Sequence, residues 1–377
     1  MNEKIFTKTD TKCIKGVAVL LMLWHHLFFD TRIYCYTEIS GIGKYNIIFA
    51  KLLGNICVSI FMFMGGYGSF RQLQKSKKIN ILKKIKGLYV SYWRIFLPFV
   101  VIGILFFQQQ PNYCQDVFIC HVFDHITWKT FLLNMLCLSS DINREHWFLS
   151  CYIITLLLFG IYAKWLQEFS IRSTIIFFIA YYLFTFFGLF LLGQQFGWMN
   201  DGFYKKILAT NSFWSVLFLT GCICAKYDLL EKFMLFEKNN THFTWYLQLL
   251  LMFLLVSLRM LCSYLFIYYL EFLIVPFFVF IVILWLRKIK RLYSIVTKVG
   301  QYSTNMWLIH TFLCYYYIFT AKLIYSLRFQ FLEYLLFCLI VYILAIIIDK
   351  VWNYIVNIKK DVSNEQPNGS QNQNIVK

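Results

Sequence analysis

Charge is what this sequence has least of: of 377 residues only 14% are Asp, Glu, Lys or Arg, while 60% are hydrophobic and 21% aromatic. That balance excludes an ordinary soluble domain, and the apolar residues recur in long runs along the chain. Acidic residues are scarcer still, 18 against 36 Lys and Arg, giving a formal net charge of +18. On a soluble face such a surplus would point to nucleic acid. Here the basic residues fall in short segments between apolar runs, where they read as topology signals and lipid-headgroup contacts. No nucleic-acid partner is expected. The twelve cysteines lie mostly inside apolar segments without paired metal spacing, so no metal site is expected either. No cleavable signal peptide, solenoid period or soluble domain is read.

What the chain does have is a series of apolar stretches, each near the twenty residues needed to cross the hydrocarbon. Ten spans are expected: 14–31, 46–70, 88–107, 146–163, 173–192, 209–226, 243–263, 267–286, 302–321 and 333–357. The fold class is therefore an all-α integral membrane protein, a bundle of about ten transmembrane helices. Residues 1–360 form one membrane unit, and 361–377 read as a disordered polar tail. With the N-terminus inside, 25 of the 36 Lys and Arg sit in inner segments, 10 in outer ones, and Arg94 within the third span. This bias favours both termini in the cytoplasm. The long outer loop from Gln108 to Glu145 is either a contact for an extracytoplasmic substrate or a plain connection.

Within the first span lies a histidine pair, His25-His26. An ionisable side chain at membrane depth is costly and usually functional. Helical geometry separates the two: eleven residues carry Lys15 to His26 through almost three turns, about 16 Å along one face. Asp30 falls on the same face, four residues on. His26 reads as a general base, or as a hydrogen-bonded interface histidine. Asp30 reads as the group that fixes its tautomer, or as an ordinary polar residue at the helix end.

Other polar groups punctuate the apolar background. The run from Arg71 to Arg94 holds the densest positive charge. It serves either to anchor an inner loop to anionic lipid or to bind the phosphates of a nucleotide cofactor. Lys83 and Lys86 are three apart and share a face at the mouth of the third span, beside Lys84. Arg94, deeper in that helix, needs a carboxylate or a ligand phosphate as partner. Gly65-Gly66-Tyr67-Gly68 allows close backbone approach but forms no Walker or dinucleotide fingerprint. Arg144 through Ser150 opens the fourth span at the outer surface. There Glu145, His146 and Trp147 are candidate substrate contacts, Trp147 being equally a member of the aromatic belt. His310 falls at mid-membrane, a further candidate interior polar group. Arg259 and Glu271 flank a tight outer hairpin and are expected to pair.

Taken together, Lys15 and His26, Met64-Gly65-Gly66-Tyr67-Gly68, Lys83-Lys84-Ile85-Lys86 through Trp93, Trp147-Phe148-Leu149-Ser150 and Gly300 through His310 resemble the membrane acyltransferase-3 family. These are integral enzymes that O-acetylate surface polysaccharides. The resemblance covers most of the chain. Arginines common at the first-helix and pre-third-helix positions are lysines here, which keeps charge but loses bidentate geometry. Where some members carry a glutamate past the Trp-x-Leu-Ser motif, this chain has Cys151 and Tyr152.

The resemblance implies a helical bundle, an acyl-CoA donor (usually acetyl-CoA) bound from the cytoplasm, and a histidine-dependent transfer to an acceptor on the far side. On that basis the expectation is a multi-pass plasma-membrane O-acetyltransferase. Lys15, Lys83, Lys84, Lys86 and Arg94 would hold the cofactor phosphates, and His26 would act with Asp30. Glu145, His146, Trp147 and His310 would contact a hydroxyl acceptor on a surface or lipid-linked glycan. The competing expectation is a transporter, flippase or polymerase of lipid-linked glycans.

Overall fold

The computed structural model describes residues 6–29, 41–109, 121–191, 203–240, 245–265, 268–327 and 329–364. Every regular element among the described residues is helical. The first half holds α1 (Lys8–Phe28), α2 (Gly41–Leu53), α3 (Ile56–Ser76), α4 (Ile81–Phe106), α5 (Trp128–Met135), α6 (Trp147–Glu168) and α7 (Ile171–Leu183). The second holds α8 (Phe203–Lys226), α9 (Leu229–Asn239), α10 (Trp245–Tyr264), α11 (Glu271–Lys288), α12 (Lys290–Gln301), α13 (Ser303–Thr311), α14 (Ile318–Tyr325) and α15 (Gln330–Asn364). π-Helical stretches continue α7 over Phe184–Leu191 and α13 over Phe312–Tyr316.

Among the described residues, five helical stretches are long and apolar enough to cross a membrane: Gly43–Ser76, Ile81–Phe106, Arg144–Glu168, Trp245–Tyr264 and Gln330–Ile358. A pair bent by 58°, Phe213–Lys226 with Leu229–Asn239, is apolar and long enough only when taken together, as a broken span or a re-entrant loop. The other expected spans overlie helices that are not uninterrupted apolar rods. α1 carries Lys12, Lys15 and both histidines, and α11 carries Glu271, Arg287 and Lys288. α7 is 13 residues long before it turns π-helical, and the stretch 302–321 is broken into α13, its π segment and α14.

Two glycine crossings hold α1 and α3 in place. A Cβ added at Gly66 of α3 would lie 1.8 Å from the carbonyl oxygen of Phe218 in α8, and one at Gly221 of α8 would lie 2.0 Å from that of Phe63. α1 meets α12 in the same way: a Cβ at Gly16 would approach Val296 O at 2.1 Å, and one at Gly300 would approach Lys12 O at 1.8 Å. Only backbone-to-backbone contact fits there, the small-residue packing that replaces hydrophobic drive inside a bilayer.

The start of α1 is tied down by Asp10. It closes a capping box with Thr7 and accepts from Arg287 Nε at 2.9 Å and Nη2 at 2.6 Å, with the Tyr293 hydroxyl at 2.9 Å. Burial pushes its carboxyl up, but the bonds from Arg287 and Thr7 outweigh burial and hold it below its ordinary value. Deeper in the bundle, Arg259 and Glu271 pair at 3.0 Å with both side chains fully buried. Arg259 also donates to Asn55 and Glu271 accepts from Ser59, so the pair is hydrogen-bonded on both sides as burial requires.

The connection from α4 to α6 departs from expectation. Instead of remaining at the outer surface, its described residues 121–143 descend beside α4. Phe123 lies against Gly103, whose added Cβ would be 2.2 Å from its ring, and Phe131 stacks on Phe96 with centroids 6.0 Å apart. Below them, the carbonyls of Asn134, Met135 and Leu136 accept from Tyr92 (3.0 Å), Trp93 (2.8 Å) and Tyr89 (2.8 Å). Gly103 to Tyr89 is about 21 Å along the axis. Arg144 through Ser150 therefore opens α6 partway down the bundle, where the His146 ring meets Tyr92 edge-on at 5.2 Å. Non-helical backbone is tolerated at that depth because the aromatic donors of α4 satisfy it.

The crossings generate a contrast between neighbouring glycines. Gly66→Ala should lower stability by about 1–3 kcal/mol through overpacking. Gly68→Ala, with nothing within 4 Å of its added Cβ, should be neutral or stabilising by roughly 0.5–1 kcal/mol. Thermal unfolding of the two purified variants in one detergent checks this.

Candidate active site

α1 carries both histidines and gives them different surroundings. His25 is buried, its Nδ1–H donating to the carbonyl of Ala50 at 2.8 Å, and Gly54 is so close that an added Cβ would lie 2.7 Å from the His25 Cβ. That is a structural histidine, satisfied by backbone. His26 is half-buried and lines a cavity of about 40 Å³ together with Met22, Val58, Glu145 and Trp147. Its Nδ1 lies 3.2 Å from the hydroxyl of Tyr315, and the His310 ring centroid is 4.8 Å from its own.

A second cavity of about 120 Å³ lies on the Lys15 side, lined also by Gly65, Leu88, Tyr152, Ser303 and Thr304. Phe61, Phe148 and Trp307 line both cavities. The two spaces are thus neighbours divided by a three-ring wall, in which Phe148 meets Trp307 edge-on at 5.3 Å and Phe61 lies 6.4 Å from Phe148. Gly65 keeps the larger space open: a Cβ there would lie 2.6 Å from the Tyr152 hydroxyl.

The remaining sequence candidates divide. Lys83 and Lys86 are exposed at the start of α4, and Lys84 is half-buried with Nζ donating to Ser69 at 2.9 Å. Arg94 has found a carboxylate, Asp349 of α15 at 3.3 Å, and also donates to Asn305. Glu145 and Trp147 reach the His26 cavity. His146 does not line it. Its Nε2–H donates to Leu308 O at 3.3 Å, and its ring is enclosed by Tyr92, Phe96 and Phe312. His310 is fully buried, with Nδ1–H on the carbonyl of Trp307. Asp30 lies outside the described residues. Among the described residues no group of three or more His, Cys, Asp or Glu could hold a metal. Tyr315 was not singled out from the sequence. Its one signal was the run Tyr315-Tyr316-Tyr317 within an apolar stretch.

Lys15, Gly65, Phe148-Leu149 and Ser303 come from four separate stretches of sequence and line one cavity. A model of the acyltransferase-domain family matches residues 11–350, nearly the whole chain. The chain belongs to the acyltransferase-3 family. No curated protein and no solved structure matches it. Family membership and the apolar helices together make it a multi-pass membrane acyltransferase.

Arg94 and Asp349 supply a test of how this interior is held. If the ion pair is what Arg94 serves, Arg94→Met and Asp349→Leu should be non-additive. The double variant should recover about 0.5–3 kcal/mol relative to the sum of the singles in thermal unfolding. Strict additivity would free Arg94 for a ligand.

Proposed function

We propose that this acyltransferase moves an acetyl group from cytoplasmic acetyl-CoA to a hydroxyl of a surface or lipid-linked glycan. The observation that carries the reading is the pair of adjoining cavities, one reached by Lys15 and the other by His26, with only three aromatic rings between them. The nucleotide end of the donor is too large for either space and stays at the basic mouth, on Lys83, Lys84 and Lys86. Its thin arm runs past Lys15 and brings the thioester to the aromatic wall, whose side chains swing to admit it. Trp147 and Glu145 line the acceptor's side of the site.

The chemistry needs one lone pair on His26. As a base, Nε2 takes the acceptor's hydroxyl proton while the alkoxide oxygen bonds the thioester carbonyl carbon. The C–S bond then breaks, and the departing CoA thiolate recovers the proton from the imidazolium. As an acyl carrier, Nε2 attacks the same carbon and CoA leaves as the thiolate; the acceptor hydroxyl then displaces the imidazole, its proton passing to the thiolate. Either route begins from a neutral ring. The surrounding topology that suits it is ten spans with both termini in the cytoplasm of a plasma-membrane protein, supported by the inner bias of Lys and Arg.

Two outcomes follow. In vesicles supplied with acetyl-CoA, His26→Ala should abolish acetyl transfer to surface glycan, measured by mass spectrometry. His25→Ala should retain most of it while losing about 1–3 kcal/mol of stability. Separately, acetyl-CoA at 100 times its Kd should stabilise the purified protein by about 2.7 kcal/mol. The effect should weaken in a Lys83→Ala, Lys86→Ala double variant. A thermal shift that is absent in the wild type would favour a transporter of lipid-linked glycans.

A further inference from the structure

We infer that Tyr315 is the positioning residue of this site: its hydroxyl holds His26 in the Nδ1–H tautomer and so keeps the Nε2 lone pair available. The inference rests on the reading of His26 as base or acyl carrier, and deepens it.

The argument is one of counting hydrogens. The Tyr315 oxygen lies 2.6 Å from the backbone carbonyl of His26 and 3.2 Å from His26 Nδ1. A phenol has one hydrogen, and a carbonyl can only accept. The hydroxyl therefore donates to the carbonyl, and its oxygen is left to accept. Nδ1 meets that oxygen, so Nδ1 carries the ring's hydrogen, and a neutral imidazole then has its lone pair on Nε2.

The neighbouring imidazoles do not quench that lone pair. His310 spends its N–H on the carbonyl of Trp307, and His25 spends its own on that of Ala50. Neither has a hydrogen left for His26. Of the four histidines in this part of the bundle, three are fixed by backbone carbonyls, and His26 alone is fixed by a side-chain hydroxyl.

The helix that carries Tyr315 is built to aim it. α13 turns π-helical over Phe312–Tyr316 and then breaks at Tyr317, a local widening found frequently at functional sites. As a result three consecutive tyrosines serve three different elements. Tyr315 reaches His26 on α1, Tyr316 accepts from the Arg144 amide at 2.9 Å, and Tyr317 donates to Phe99 O on α4. The bland alternative is that Tyr315 only caps an orphan carbonyl at the end of α1. The chain contains its own control for that: Tyr325 donates to the next carbonyl, Leu27 O, at 3.0 Å, one residue beyond His26.

The test compares Tyr315→Phe with Tyr325→Phe in the full-length protein, reconstituted in lipid nanodiscs with ¹⁵N-labelled histidine. Steady-state transfer is measured alongside the nitrogen spectrum, and the His26 signals are assigned by their loss in His26→Ala. The wild type should show His26 protonated at Nδ1. Tyr315→Phe should lower kcat on the order of ten- to hundredfold, the cost of an unmet buried donor, with little change in KM for acetyl-CoA. It should also introduce the Nε2–H form into the His26 signal. Tyr325→Phe should leave kcat and the signal near wild type. A wild-type His26 protonated at Nε2 would overturn the inference without any variant. So would Tyr315→Phe with wild-type kcat and an unchanged spectrum, or Tyr325→Phe with the same losses. Should His26→Ala keep its activity, the transfer reading fails, and the spectrum still decides the tautomer.

Discussion

A carbonyl that leaves its helix inside a bilayer has no water to turn to, and this protein meets that constraint with aromatic side chains. Tyr89, Tyr92 and Trp93 take the carbonyls of the segment that dips beside α4. Tyr315 and Tyr325 take the last turn of α1, Tyr334 takes Leu20 within it, and Tyr317 takes Phe99. A chain with 26 Tyr and 11 Trp has donors attached to large apolar bodies, which a lipid-facing or core position tolerates better than an amide or a charge. Because those donors exist, the backbone can be irregular at depth, and one such stretch, Arg144–His146, brings Glu145 to the smaller cavity.

Charge is handled by a different rule. Arg287 with Asp10 and Arg94 with Asp349 unite helices far apart in sequence, and Arg259 with Glu271 joins two consecutive helices. Lys83 and Lys86 at the start of α4 are left exposed. Paired cations tie the bundle together, whereas these two remain on its surface. The glycine crossings complete the frame: α1 is pressed on α12 and α3 on α8, so two of the four helices that border both cavities sit on backbone contacts.

Much of this was legible in the residues. The Lys15 to His26 spacing depends only on helical period, and α1 is an uninterrupted helix between them. The pairing of Arg259 with Glu271 follows from the cost of burying either alone. The need of Arg94 for a partner was equally clear, though two were open and Asp349, 255 residues away, could not be chosen from sequence. The depth of α6 was not legible, because hydropathy marks where apolar runs lie and not that a polar connection folds back between them. His146 looked like Glu145's companion, yet the short 3₁₀ turn over Arg144–His146 sends the two side chains to different places. Tyr315 was hidden because its direction comes from a π-helical register that ordinary periodicity does not anticipate.

α1 has one more consequence. Lys15 and His26 ride on a single uninterrupted helix, held against α12 near one end and by tyrosines at the other. Their separation, about 16 Å, is therefore a fixed length. On the proposed route the protein acts as a ruler: a donor whose anionic head rests on Lys83, Lys84 and Lys86 must run its flexible tether past one mark, Lys15, and present its reactive carbon at the other, His26. Small activated acyl compounds lacking a tether would satisfy one mark and miss the second.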